Sequence, residues 1–218
     1  MQRYLTCTLF LFALHAFAAA PTTAPAEGSA KALFSDDFSQ AQLEKQWTIL
    51  RGFWKPEDGV LRGTENPKET NAHKAASLAA QDLKPFTDCI FEYDLRFDGA
   101  RQHRLGLNGT EAHNPLFHID VLRDRLDIAR EPLENEKGQK ATKIATTPLS
   151  LMPGEWVHVR VEIRGPTVTV QVGETKLAAT HDLIGKEKGM FKLFVTGDSI
   201  SFRSFRLLAI GEIAGKAG

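Results

Sequence analysis

Apolar and polar residues alternate strictly along two consecutive runs in the C-terminal half of the chain. Valine or isoleucine occupies every second position from 157 to 163 and again from 168 to 172, and Gly165-Pro166 separates the two runs. Successive side chains of a strand point to opposite faces of its sheet. The alternation therefore predicts two antiparallel strands joined by a turn, each with one buried and one solvated face.

Shorter runs with the same period predict strands along most of the chain. Residues 89–97 form the strongest run of the N-terminal half, and their odd-numbered positions should be core. The other predicted strands cover residues 34–38, 43–50 with a buried Trp47, 52–61 as a hairpin turning at Asp58-Gly59, a strand beginning near Ala75, 104–108, 116–122, 125–130, 189–195 and 199–210. Residues 131–148 are predicted to be a long loop or an edge hairpin, and residues 180–188 a helix-compatible or loop stretch. Many short strands without a convincing helix indicate a sandwich or jelly roll.

The first residues have the pattern of a secretory signal peptide. Arg3 precedes an apolar run over residues 5–17, and Ala16-Phe17-Ala18 has the form of a cleavage site. We therefore predict a secreted or periplasmic protein with a signal peptide at residues 1–18, a flexible linker at 19–32, one β-sandwich domain at 33–211 and a disordered tail at 212–218. Cys89 is the one cysteine after residue 18, so no internal disulfide is expected.

The charge of the chain is balanced, with 27 Lys and Arg residues and 27 Asp and Glu residues. There is no basic excess to attract nucleic acid or an anionic membrane surface, so we expect neither partner once the signal peptide is removed. A neutral partner such as carbohydrate fits this balance better. We expect the protein to be a monomer.

If residues 89–97 and the next three strands form one meander, their outward side chains share one face. The polar side chains of that face are Glu92, Asp94, Arg96, Arg104, Asn108, His118, Asp120, Arg125 and Asp127. Hydrolysis of a glycosidic bond ordinarily needs two carboxyl groups, one of them kept protonated. Glu92 or Asp94 could form such a pair with Asp120, and His118 could transfer a proton.

Each of these features also has a structural explanation. Alternating charges are typical of any half-exposed strand, where cross-strand ion pairs stabilise by ~0.2 to 1 kcal/mol each. The Trp54 ring could stack on a sugar or pack in the core. A structural calcium at Asp36, Asp37 and Asp198 requires the first and last strands to pair, and turn or capping roles explain these residues equally well. We expect no cofactor and no metal ligands.

Several short motifs, in their order along the chain, resemble a known family. They are Asp36-Asp37-Phe38, Trp54 with Glu57-Asp58-Gly59-Val60-Leu61, the FEYDLRF run at 91–97, Glu155-Trp156 with Arg164-Gly165, and the closing strand at 200–207. The chain resembles the concanavalin A-like lectin and glucanase sandwiches, and more narrowly the secreted bacterial 3-keto-disaccharide hydrolases. The resemblance implies an all-β antiparallel β-sandwich, a concanavalin A-like jelly roll that holds sugar on a concave sheet face. Most matched residues are core or turn positions, so the resemblance is better evidence for the fold than for the chemical activity.

Laminarinase-like glucanases of this fold carry Glu, Asp and Glu on one face of their catalytic strand. Glu92 and Asp94 fit the first two positions, but Arg96 and Phe97 stand where the third should be. We therefore reject that mechanism for this chain.

Two main functional hypotheses follow. In the first, the protein hydrolyses or eliminates the glycosidic bond of a 3-keto-disaccharide, whose ketone acidifies the neighbouring proton. The candidate catalytic residues are Glu92, Asp94, His118 and Asp120, and the candidate substrate-binding residues are Trp54, Arg96, Arg104, Asn108 and Arg125. In the second, the same surface binds a glycan without catalysis. A third class, an accessory surface protein, predicts an exposed apolar patch instead of a polar cleft.

Overall fold

Antiparallel β-strands account for most of the chain. A computed structural model describes residues 31–70, 74–110, 115–132, 136 and 138–211. The strands in these ranges are β1 (Lys31–Asp36), β2 (Trp47–Arg51), β3 (Phe53–Glu57), β4 (Val60–Thr64), β5 (Ala76–Ala80), β6 (Cys89–Phe97), β7 (Gln102–Gly109), β8 (Pro115–Leu122), β9 (Arg125–Arg130), β10 (Thr142–Pro148), β11 (Trp156–Arg164), β12 (Thr167–Val172), β13 (Thr175–Thr180), β14 (Lys188–Thr196) and β15 (Ser199–Ala209). A search of the same ranges for a helix long and apolar enough to span a membrane finds none.

The strands form two sheets. Sheet A has the order β13-β12-β11-β6-β15-β4-β3, with β1 also paired to β15, and sheet B has the order β10-β9-β8-β7-β14-β5-β2. Apolar side chains from both sheets are buried together in one core. The predicted all-β antiparallel sandwich is confirmed.

The core follows the period-two pattern of the sequence. Every odd-numbered residue from Cys89 to Phe97 is at most 2% exposed. Phe91 and Phe205 of sheet A each place their ring centroid 5.2 Å from that of Phe191 in sheet B. Trp47 meets the same Phe191 ring edge-on at 5.5 Å. The predicted burial of Trp47 and of the odd positions of β6 is therefore confirmed.

One polar contact crosses this apolar core. The hydroxyl of Tyr93 on β6 lies 2.9 Å from Nε2 of His103 on β7, and Nδ1 of His103 lies 3.3 Å from the carbonyl oxygen of Phe194. His103 is fully buried, and burial lowers its pKa to about 4. The histidine is therefore neutral at physiological pH and links sheet A to sheet B.

The alternation of the sequence predicts one edge strand only as an alternative and does not predict another. Within residues 131–148, β10 pairs with β9 at the edge of sheet B, so the edge-hairpin alternative for this segment is confirmed. The edge strand β13 has no counterpart among the predicted strands and pairs with β12. Most side chains of both strands are at least partly exposed, so apolar alternation is weak in them. Between β13 and β14 the chain forms turns and no helix.

The predicted meander from β6 through β9 is wrong. β6 lies between β11 and β15 in sheet A, whereas β7, β8 and β9 are neighbours in sheet B. The chain changes sheets over a few residues: the N–H of Asp98 donates to Ser199 on β15, and the N–H of Arg101 donates to Thr196 on β14. Between them Gly99 has a φ of +107°, which favours glycine. The outward side chains of β6 and of β7–β9 therefore lie on opposite surfaces.

Residues 1–30 and 212–218, which carry the predicted signal peptide, most of the linker and the tail, lie outside the described residues. The first strand begins at Lys31, so it includes two residues of the predicted linker.

Candidate functional site

Four charged side chains meet on the outer face of sheet B. Arg104 on β7 is opposite Asp120 on β8, and His118 precedes Asp120 by two residues on the same face. Glu131 directly follows β9, and its N–H donates to the carbonyl of Leu116 at the start of β8. We call Arg104, His118, Asp120 and Glu131 the β7–β9 cluster.

Asp120 holds Arg104 through two parallel hydrogen bonds. Nε of Arg104 donates to Oδ1 at 2.6 Å, and Nη2 donates to Oδ2 at 2.9 Å. A bidentate pair of this kind fixes the plane of the guanidinium. The third nitrogen, Nη1, lies 3.8 Å from Oε1 of Glu131, and one-third of the Arg104 side chain is exposed. The guanidinium therefore keeps a donor edge that a ligand can reach.

His118 lies between the two carboxylates of the cluster. Its Nδ1 is 2.7 Å from Oε1 of Glu131, and its Nε2 is 3.4 Å from Oδ2 of Asp120. The His118 side chain is 2% exposed, whereas those of Asp120 and Glu131 are 11% and 20% exposed. Glu131 is therefore the more accessible carboxylate.

The environment of the cluster favours the charged form of each titratable group in it. Burial opposes the charged form of His118, but the Asp120 and Glu131 carboxylates outweigh it and raise the His118 pKa. Burial also opposes ionisation of Asp120, yet His118 and Arg104 lower its pKa overall. Contact with His118 is the main cause of the lowered pKa of Glu131. Neither carboxyl group is held in its protonated form.

A second ion-pair group borders the cluster on β9 and β10. Asp127 is opposite Asp120 in the β8–β9 register. Its carboxylate contacts Nε of Arg125 at 2.8 Å, Oγ1 of Thr146 at 2.5 Å and Nζ of Lys143 at 2.9 Å. Burial opposes ionisation of Asp127, but these partners lower its pKa. Arg125, a predicted substrate-binding residue, is thus held at the border of the cluster.

The row of outward positions that contains His118 crosses β7 at a glycine. Gly106 is opposite His118 on β8 and also opposite Lys192 on β14. Lys192 is partly buried, and its other neighbour in the row is Ala79 on β5. Gly106 is itself buried, so this position of the row is not open to solvent.

Glu92 and Asp94 lie on the opposite surface, the outer face of sheet A. Each carboxylate has two partners on neighbouring strands: Arg160 and Arg206 for Glu92, and His158 and Arg203 for Asp94. The interpretation of these residues as cross-strand ion pairs is therefore confirmed. The proposed catalytic pairing of Glu92 or Asp94 with Asp120 is wrong, because the sandwich core separates them.

A cavity of about 560 Å³ also borders the outer face of sheet A, and its walls include Glu92, Asp94 and Asp36. The ion pairs above hold the first two carboxylates. Asp36 accepts hydrogen bonds from the N–H of Phe38 and from Nε1 of Trp47. Acid–base chemistry is better supplied by the β7–β9 cluster, where a buried imidazole of raised pKa lies between two carboxylates.

Trp54 is a core residue, and its prediction as a sugar platform is wrong. Its side chain packs against Phe202 at a ring-centroid distance of 6.1 Å, and the residue is 7% exposed. The ring also covers Gly63 so closely that a Cβ there would lie 2.5 Å from it. Both faces of the indole are therefore withdrawn from solvent, and the core-packing alternative is confirmed.

Of two other predicted substrate-binding residues, one lies on the other sheet and one is fully buried. Arg96 on sheet A donates to Asp98 at 2.7 Å, and its guanidinium lies 4.8 Å from the ring centroid of Trp156. Asn108 is on β7 but is fully buried. Of the predicted set, the structure brings together Arg104, His118 and Asp120.

The three aspartates of the calcium hypothesis do not meet. β1 does pair with β15, but the register places Asp36 opposite Phe205, in the middle of β15, whereas Asp198 precedes that strand. Among the residues that the structure describes, no group of three or more His, Cys, Asp or Glu side chains is arranged to hold a metal ion.

Residues 30–208 match the family model of the 3-keto-alpha-glucoside-1,2-lyase-like domain. The chain belongs to this family. No curated protein matches it in sequence. The family assignment agrees with the resemblance noted in the motifs of the sequence.

Solved structures share the fold of this family member at low sequence identity. The endo-β-1,3-glucanase from Pyrococcus furiosus is 11% identical, with a TM-score of 0.62 over 84% of this chain and 95% of that one. The laminarinase catalytic domain from Thermotoga maritima is 11% identical, with a TM-score of 0.61 over 84% and 99%. The carbohydrate-binding module CBM66 from Bacillus subtilis is 16% identical, with a TM-score of 0.58 over 74% and 94%. These similarities confirm the concanavalin A-like jelly roll and show the fold alone.

Two site residues were not among the candidates from the sequence. Glu131 falls at the start of the segment predicted to be a loop or an edge hairpin, yet it continues the parity of Asp127 and Ala129, which face outward from β9. Extending the alternation by one step would have found it. Lys192 lies in a predicted strand, but only the pairing of β14 with β7 shows that it shares a row with His118.

Proposed function

We propose that this protein cleaves the glycosidic bond of a 3-keto-α-glucoside by elimination across C1 and C2, at the β7–β9 cluster. The family assignment supports the substrate class. The observation that carries the proposal is the buried His118 between Asp120 and Glu131, beside the exposed edge of Arg104. The signal-peptide pattern of residues 1–18 supports export as part of the same proposal.

The reaction uses the acidity that the ketone confers. A carbonyl at C3 makes the proton on C2 removable, and the electron pair left behind expels the alcohol bound to C1. The products are a free alcohol and a keto sugar with a C1=C2 double bond, and no water is consumed. A glutamate or aspartate is a sufficient base for a proton next to a ketone when the developing enolate oxygen is stabilised.

The cluster contains groups for each of these tasks. Glu131 is the base, because it is ionised and is the most exposed carboxylate of the cluster. The free edge of Arg104 stabilises the enolate oxygen at C3, since its other edge is fixed by Asp120. His118 orients Glu131 and Asp120 and balances their charge.

The protonation states favour elimination over hydrolysis. Two-carboxylate hydrolysis needs one carboxyl group of raised pKa as the acid. On the described part of the outer face of sheet B, the pKa values of Asp120, Asp127 and Glu131 are all lowered. An elimination begins with an ionised base and is compatible with this environment.

An accessory role is supported by one observation. Ile49 and Leu50 on β2 and Phe53 on β3 are 45% to 58% exposed, and β2 and β3 are edge strands of the two sheets. A protein-docking function predicts that replacing all three with serine abolishes partner capture and leaves any keto-glycoside cleavage intact.

Product analysis tests the proposed activity. Purified protein is incubated with 3-keto disaccharides and with the parent disaccharides, in ordinary and in heavy-oxygen water, and the products are identified by mass spectrometry. We expect cleavage of α-linked keto sugars only, with an initial product one water lighter than the hydrolysis product. Absence of cleavage rejects the proposal, and a melting-temperature shift without cleavage would indicate a binding module.

A further inference from the structure

Phe194 on β14 extends the row of outward side chains that contains Arg104. The odd-numbered residues from Phe191 to Val195 are fully buried, so the alternation of the strand turns Phe194 away from the core. Phe194 is opposite Arg104 on β7, which is in turn opposite Asp120 on β8. A phenyl ring therefore lies on the outer face of sheet B, directly beside the β7–β9 cluster.

The Phe194 ring does not belong to the core. Of the aromatic residues that the structure describes, three are neither buried in the core nor packed against it: Phe53, Trp156 and Phe194. Phe53 is on the edge strand β3 of sheet A. Trp156, on β11 of the same sheet, lies against the guanidinium groups of Arg96 and Arg203. Among the described residues, Phe194 is therefore the one aromatic side chain on the outer face of sheet B.

Phe194 and Arg104 are both accessible from solvent. Phe194 is partly exposed, and one-third of the Arg104 side chain is exposed. Directly opposed residues of neighbouring strands place their Cβ atoms about 4.5 to 5.5 Å apart. A ligand that is held by the free edge of Arg104 can therefore also contact the Phe194 ring.

A phenyl ring beside this cluster contributes apolar contact alone. Phenylalanine has no hydrogen-bond donor or acceptor in its side chain, and its flat face suits the C–H groups on the face of a sugar ring. Because the other named side chains of the cluster are charged, Phe194 supplies the kind of contact that they cannot.

The two halves of the substrate differ in how well they can stack. In the chair form of an α-glucoside, the C2–H and C1–O bonds are both axial and point to opposite faces of the ring. Elimination removes the C2 proton from one face and the leaving group from the other, so the keto sugar needs both of its faces uncovered. The sugar that leaves does not react through its ring faces. It can therefore lie flat on an aromatic side chain.

We propose that Phe194 is the ring on which the leaving-group sugar stacks, and that the protein selects 3-keto disaccharides over 3-keto glucosides of small alcohols. This inference rests on the proposed function, in which Arg104 binds the C3 oxygen of the adjoining keto sugar. Stacking acts equally on the bound substrate and on the transition state. It therefore lowers KM and leaves kcat nearly unchanged.

The size of the leaving group tests this role. The wild type and Phe194→Ala are compared on an α-linked 3-keto disaccharide and on methyl 3-keto-α-glucoside. Loss of the ring should raise KM for the disaccharide roughly 10-fold with little change in kcat. For the methyl glycoside, which has no second sugar ring, both parameters should stay as in the wild type.

Further variants separate stacking from folding. Phe194→Tyr keeps a flat ring and should keep the wild-type KM for the disaccharide. Phe194→Leu keeps apolar bulk without a ring face, so it should behave like Phe194→Ala at an unchanged melting temperature. Phe53→Ala, which removes an exposed ring of sheet A, should change the kinetics of neither substrate.

The outcomes distinguish this inference from the proposed function. A wild-type KM for the disaccharide in Phe194→Ala overturns the stacking role, and so does an equal rise in KM for both substrates. Either result leaves the proposed elimination intact, because the wild type still cleaves both sugars. A wild type that is inactive on both substrates overturns the proposed function, and the stacking role with it.

Discussion

Asp120 and Arg104 form a bidentate ion pair directly across β7 and β8, with N–O distances of 2.6 and 2.9 Å. The same carboxylate lies 3.4 Å from Nε2 of His118. One side chain therefore contacts both Arg104 and His118, and in the proposed elimination it links the binding of the ketone oxygen to the orientation of the base.

Replacing Asp120 with Asn should impair catalysis. The amide offers one acceptor in place of two and carries no charge, so Arg104 loses its fixed plane and His118 loses one of the two carboxylates that raise its pKa. Misplacement of catalytic groups by about 1 Å costs on the order of 10²-fold. We expect a loss of that size in kcat for 3-keto-α-glucosides, measured by product formation at saturating substrate. Full activity would remove Asp120 from the mechanism.

The outer face of sheet A provides the matched control. Asp94→Asn also removes a carboxylate that contacts a histidine and an arginine, but on the opposite surface of the sandwich. We expect Asp94→Asn and Glu92→Gln to retain wild-type kcat/KM. Loss of activity in either variant, with an unchanged melting temperature, would place the site at the cavity of sheet A.

The alternation of the sequence predicted the strands and the core, because burial of one strand face is a local property. Cys89 to Phe97 illustrates this success, since β6 has the predicted bounds and its odd positions are buried. The alternation of apolar and polar residues does not determine which strands pair. For that reason Glu92 was grouped with Asp120, although they occupy different sheets. The edge strands β10 and β13 bury little, so they carry little of the signal on which the prediction depends.

Trp54 should prove to be a stability residue. Its ring fills the space between Phe202 and Gly63, so Trp54→Ala leaves a cavity in the core. Truncation of a buried Trp typically costs about 3 to 5 kcal/mol of unfolding free energy. Urea unfolding should show a loss of that size, and Trp156→Ala, on the outer face of sheet A, should cost less. Unchanged stability with lost glycan affinity would restore the sugar-platform role.

The Tyr93–His103 pair should make the fold sensitive to mild acid. His103 has a pKa of about 4 in the folded protein and an ordinary value near 6.5 when unfolded. The unfolded chain therefore binds the proton more tightly. The neutral histidine favours the folded state above about pH 6.5, and this advantage, roughly 3 kcal/mol, is lost as the pH falls towards 4.

Urea unfolding near neutral pH and near pH 5, roughly the middle of this range, tests the effect. The unfolding free energy of the wild type should fall more steeply with acid than that of His103→Gln, in which residue 103 has no titratable group. His118, whose pKa is raised, acts in the opposite direction and is present in both proteins, so the comparison isolates His103. The exposed His158 provides the control variant His158→Gln. Equal slopes for the wild type and His103→Gln would contradict the assignment.

The fate of the C2 proton tests the central claim most directly. A 3-keto-α-disaccharide that carries deuterium at C2 is cleaved by the wild-type protein, and the products are followed by NMR as they form. Elimination at the β7–β9 cluster predicts slower cleavage of the labelled sugar, release of the deuterium to water and an initial product with a C1=C2 double bond. A product that keeps its C2 deuterium and gains oxygen from water would show hydrolysis and contradict the account.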